Sequence, residues 1–84
     1  MSEHNHQAIR SVANYFSRLE KANNLLRDQE IMRAYDLVDT NLDLLSNDRT
    51  LNGNEDARKD LISRFEAVGR RIIESSYETR RSSF

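Results

Sequence analysis

LLRDQEIM, residues 25–32, is the stretch whose reading decides the fold. Upstream of it, Ile9, Val12, Phe16, Leu19 and Leu26 recur at spacings of three, four and seven, the period of a helix and not of a strand. Downstream, Ile31, Ala34, Tyr35, Val38, Leu42 and Leu45 carry the same phase onward. No glycine or proline marks the join, and Asp28 is the one residue there suited to cap a helix. Leu25 and Met32 nevertheless lie off the shared stripe, and a chain reversal between them would bury both. An uncapped helix of about 40 residues is also unusual in a globular domain. The sequence therefore predicts two helices, over 5–27 and 29–46, with one long helix over 5–46 as the alternative.

Beyond this point, residues 47–54 gather Asn47, Asp48, Asn52, Gly53 and Asn54, a density of turn formers that stops the period. Ala57, Leu61, Phe65, Val68 and Ile72 then resume it, with Ile62 and Ile73 one step round, so a third helix is expected over 55–79. Asn54 is placed to cap it, with Glu55 and Asp56 in its first turn. The predicted fold is all-α: one domain over 1–84, a small three-helix bundle with an inter-helix loop at 47–54 and frayed ends at 1–4 and 80–84. The alternative is an antiparallel hairpin of a long helix with a short one, open to pairing as a dimer.

Each predicted helix carries an apolar arc of about 160 to 180°, wide enough for two neighbours. In the third, Leu61, Phe65, Val68 and Ile72 form the expected core seam, and Ile62, Gly69, Ile73 and Ser76 form a second. Gly69 sits mid-helix, where glycine costs about 1 kcal/mol relative to alanine, so with Ser76 it suggests a shallow groove that another helix could enter. Asn23 and Asn41 fall inside the apolar arcs and need hydrogen-bond partners. A hairpin turning at Asp28 brings Asn41 level with Tyr15.

Composition narrows the function. With 84 residues, 37% apolar and 32% charged, no cysteine and no proline, the chain reads as a soluble helical domain without disulfides or thiolate chemistry. The N-terminal MSEHNHQ has neither the basic nor the apolar part of a signal peptide, so a cytoplasmic, intracellular protein without membrane association is expected. A net charge of −1 supplies no overall field for nucleic acid or anionic lipid.

The candidate sites follow from residue type and spacing. Residues 48–59 place Asp48, Asn52, Gly53 and Asp56 where a calcium loop needs them, but Lys59 stands at the position of the bidentate acid, so an ordinary turn is expected. His4 and His6, two apart, point in nearly opposite directions on a helix and cannot grip one metal. No metal, no cofactor and no small-molecule substrate is indicated, and no catalytic constellation appears. Asp36, Asp39 and Asp43 form an acidic stripe opposite the apolar face of the second helix. Eleven of the 13 basic residues are arginine, with Arg70-Arg71 and Arg80-Arg81 the densest pairs. The terminal RRSSF carries a basophilic kinase pattern at Ser83 and a carboxyl terminus of the kind PDZ grooves accept.

The expectation is a small non-enzymatic interaction module, a regulator, adaptor or chaperone-like subunit, whose apolar helix faces meet another protein or a second copy of the chain. Ile62, Gly69, Ile73, Ser76, Asp36, Asp39, Asp43, Arg70 and Arg71 are the candidate contact residues. The alternative is a small nucleic-acid-associated regulator that uses the Arg-rich third helix and tail.

Overall fold

The computed structural model describes the backbone of residues 2–82 and the side chains of residues 6–77. Three helices pack against one another: α1 (Ser2–Arg27), α2 (Ile31–Asn47) and α3 (Glu55–Ser82), with a single 3-10 turn at Arg49–Leu51. There is no strand among the described residues. The expected three-helix bundle is the fold, and the single long helix is excluded by a reversal inside the LLRDQEIM stretch.

That reversal is not the Asp28 side-chain cap. Asp28 N still donates to Asn24 O, continuing the helical ladder at 3.0 Å. Gln29 then turns into the left-handed region at φ 62°. Its N–H bonds Leu26 O at 3.0 Å and Glu30 N–H bonds Leu25 O at 2.8 Å. This pair of bonds satisfies the last carbonyls of α1 and turns the chain, a Schellman ending with glutamine in the place glycine usually takes. Helix α2 starts without help: Glu30 precedes it with no side-chain cap bond. The reversal half-buries Leu25 against the core but leaves Met32 exposed, so only one of the two off-stripe residues gains cover.

The α1 stripe is also rotated from the expected one. Ala8, Tyr15, Leu19, Ala22 and Leu26 are buried, while Ile9 and Phe16 are exposed. Ala8 and Tyr15, each one residue back, take the places of Ile9 and Phe16, while Leu19 and Leu26 stay inside and Ala22 joins them, so the inward face of α1 is turned by less than one residue step of about 100°. In α3 the expected seam holds: Leu61, Phe65, Val68 and Ile72 are all buried. The tyrosine ring of Tyr15 meets Phe65 edge to face at a centroid distance of 6.5 Å. Ala34, Val38 and Leu45 from α2 and Leu51 from the 3-10 turn complete this core.

Asn41 is buried, but its partner is Arg18 and not Tyr15. Its Oδ1 accepts from Arg18 Nη1 at 3.2 Å and its Nδ2 donates to Leu37 O at 2.7 Å. The chain reverses a residue later than Asp28, at Gln29, and this shift moves the level position on α1 from Tyr15 toward Arg18. The expectation of frayed ends falls largely outside the described residues, since no side chain of 1–5 or 78–84 is described.

Candidate functional site

The 47–60 segment, the sequence's best imitation of a cation site, is organised around its own cation. Arg58, on the first turn of α3, donates to Leu45 O at the end of α2. It also donates to Asp48 O at 3.0 Å, to Asn52 Oδ1 at 2.9 Å and to Glu55 Oε1 at 3.0 Å. One guanidinium therefore ties together the end of α2, the loop and the start of α3, giving Leu45 O, one of the last carbonyls of α2, a partner and adding a second donor to Asp48 O, which also accepts from Leu51 N. Gly53 sits at φ +87°, the positive value that a turn here requires of glycine.

Asp48 is committed inward as well. Its Oδ1 accepts from Thr50 N at 2.9 Å and Thr50 Oγ1 at 2.6 Å, and its Oδ2 accepts from Tyr15 Oη at 2.8 Å. Partial burial works to raise its pKa, but the Thr50 and Tyr15 hydrogen bonds and the charge of Arg58 outweigh it and hold the carboxyl below its ordinary value. The same contact works oppositely on Tyr15: burial first, then the Asp48 hydrogen bond and charge, push its hydroxyl up to about 12. Ser11 closes the network on Thr50 at 2.6 Å. These side chains lock α1 onto the loop, a structural junction.

The open feature lies on the other side of the molecule, between α2 and α3. Two concavities of about 350 and 360 Å³ run end to end there and share Tyr35 and Ile73. The first adds Val38, Asp39, Leu42, Glu66, Gly69 and Arg70. The second adds Ile31, Met32, Ile72, Ser76 and Tyr77. From Glu66 to Tyr77 the groove follows α3 for roughly 17 Å, about three helical turns. Its apolar end is unusually bare: Met32 is 72% exposed, Tyr35 47%, Ile73 50% and Tyr77 65%. Asp39, Glu66 and Arg70 bring charge of both signs to the other end.

Of the residues singled out in the sequence, Gly69, Ile73, Ser76, Asp39 and Arg70 meet along this groove. Ile62 is half-buried and packs against the core. Asp36 lies instead in the α1/α2 groove beside Lys21 and Arg33, Asp43 is exposed, and Arg71 faces α1, donating to Asn23 Oδ1 at 3.2 Å. The acidic stripe and the Arg70-Arg71 pair are thus each divided between faces. Met32, Tyr35 and Tyr77 were not among the candidate contact residues, and Tyr35, expected on the inward stripe of α2, is instead 47% exposed here. Met32 carried a signal in lying off the stripe, and Tyr77 follows Ile73 by one turn. His6 is exposed, while the side chains of His4, Arg80, Arg81 and the Ser83 region lie outside the described residues.

Among the described residues no three His, Cys, Asp or Glu side chains gather as a metal-holding group, and no helix is long and apolar enough to cross a membrane. Fold and groove together define a class: a small antiparallel helical bundle whose α2/α3 groove is open and lined by exposed apolar side chains. Scans against protein-family profiles, curated proteins and solved structures found no match to this chain.

Proposed function

We propose that this chain is a small non-enzymatic interaction module, of the regulator, adaptor or chaperone-like kind, which receives a helix in the groove between α2 and α3. The observation that supports this reading is the convergence of Met32, Tyr35, Ile73 and Tyr77, four large apolar side chains left exposed on one concave face. A protein of this size has little apolar surface to spare from its own core, and contiguous patches of this kind mark association sites. The nucleic-acid alternative draws less support, because Arg70 and Arg71 face different grooves and Arg71 is engaged by Asn23.

The test places a photoreactive amino acid at Ile73 or, as a control, at Thr40 on the exposed side of α2, and irradiates cells that make the full chain. Adducts with protein are expected from position 73 and not from position 40. Equal labelling from both positions, or none from position 73, overturns the proposal.

A further inference from the structure

The occupant of the groove follows from the shape of α3. Gly69, Ile73 and Tyr77 stand four residues apart and form one ridge of the helix, with Ile73 midway. At one end of the ridge is a hollow: a Cβ added to Gly69 would meet only Val38 Cγ1, at 3.6 Å, so no other side chain covers it. At the other end is a knob, the Tyr77 ring, 65% exposed. Hollow and knob lie equally far from Ile73, the arrangement that matches its own copy after a half-turn. A two-fold axis through Ile73 sets two α3 helices antiparallel, brings Ile73 against its counterpart, and drops each Tyr77 over the Gly69 of the opposite copy.

Resting on the groove reading above, we infer that a second copy of this chain fills the groove, giving an isologous homodimer built on α3. Area agrees with this occupant. Side chains of about 200 Å² each, exposed by 72, 47, 50 and 65%, leave on the order of 500 Å² of apolar surface per copy. A stable interface covers about 800 Å² per partner, roughly 60% of it apolar, which is close to the same figure. Charge agrees as well. Arg70 has no ion-pair partner among the described residues, and the antiparallel register sets it level with Ser76 and Tyr77 of the other copy, where a guanidinium can stack on the phenol ring. Asp39 and Glu66 balance it at the rim, so two copies meet without a field of one sign.

Sedimentation of the full chain tests the inference. Across about 10 to 500 μM the mass should rise from 9.8 kDa toward twice that value. Ile73→Glu, at the axis, should remain monomeric throughout with its helical circular dichroism intact. Gly69→Leu, which fills the hollow, should weaken dimerisation by about tenfold or more, whereas Ile9→Glu, on the exposed face of α1, should leave it unchanged. If Ile73→Glu does not fold, Tyr77→Ala takes its place, and loss of the dimer is again expected. A chain that stays monomeric at the highest concentration, or a dimer indifferent to these groove substitutions, overturns the inference. A monomer that still gives adducts of other masses from position 73 overturns the second copy and leaves the groove reading standing. A monomer with no adducts overturns both.

Discussion

Gln29 shows how much of this fold hangs on a single backbone conformation. It is the one non-glycine described residue with positive φ, and it stands in the middle of the three residues that join α1 to α2. A glutamine side chain gains nothing there and bears the steric cost of the left-handed region, about 1 kcal/mol. Gln29→Gly should therefore raise stability by about 0.5 to 1 kcal/mol in urea denaturation, because glycine reaches φ 62° without strain. A loss of stability would mean that the reversal is held by something other than the Gln29 backbone. Tyr15 and Asp48 make a second case. Tyr15→Phe removes a hydrogen bond to a carboxylate and should cost about 1 to 2 kcal/mol. Its pH dependence has a definite sign. The Asp48 carboxyl is depressed in the fold, so its contribution is present above the unfolded value near 4 and fades as pH falls through the folded value. The Tyr15 hydroxyl is raised to about 12, so its contribution is complete below the ordinary value of 10 and is lost as pH climbs from 10 to 12. Chemical denaturation of wild type and Tyr15→Phe between pH 9 and pH 12 should show the alkaline decline reduced in the variant, and parallel declines would contradict the assignment.

At the scale of the helix, what the sequence disclosed and what it hid have different causes. The existence and order of the three helices were legible because apolar period and turn-forming residues are local signals, and the α3 seam from Leu61 to Ile72 came through intact. The phase of α1 did not, since Tyr15 and Ala22 look less apolar than Phe16 and Ile9, yet burial favours the residues that let helices approach. The site was half legible for a related reason. Periodicity placed Gly69, Ile73 and Ser76 on one face, but only packing reveals that α2 leaves that face uncovered or that Asp36 and Asp39 diverge into separate grooves. Gly69 itself carries a prediction at this scale. Its added Cβ would stand 3.6 Å from Val38 Cγ1, an ordinary contact, so Gly69→Ala should stabilise the fold by about 0.5 to 1 kcal/mol through helix propensity. The same methyl begins to fill the hollow, so self-association should weaken in sedimentation while the melting temperature rises. A lower melting temperature would show that α2 already packs too closely against Gly69 to admit it.

For the molecule as a whole, shape and stability pull against each other. The bundle measures 58 × 18 × 14 Å with a radius of gyration of 14.8 Å, whereas a compact chain of this length would have roughly 12 Å. An elongated body covers its core poorly, and its one internal seam must supply most of the cohesion. Phe65 is the largest of the fully buried side chains at the centre of that seam, touching Tyr15 across the α1/α3 contact. Total stability for a domain of this size is only about 4 to 12 kcal/mol, and Phe65→Ala should remove about 3 to 5 kcal/mol of it. Phe16 offers the contrast within the same chain. It is 40% exposed, with the Arg64 guanidinium 5.2 Å from its ring centroid, and Phe16→Ala should cost no more than about 1 kcal/mol. Thermal melts of the two variants should therefore separate widely, with Phe65→Ala losing cooperative unfolding or melting many degrees lower and Phe16→Ala remaining near the parent. Should Phe65→Ala melt near the parent, the core would not be centred on this ring. If self-association opposes unfolding, the gap should also depend on protein concentration. Each dimer would add mass-action stability to any variant that still folds, so Phe16→Ala should gain from concentration as the parent does, while Phe65→Ala, short of folded chains to pair, should gain least.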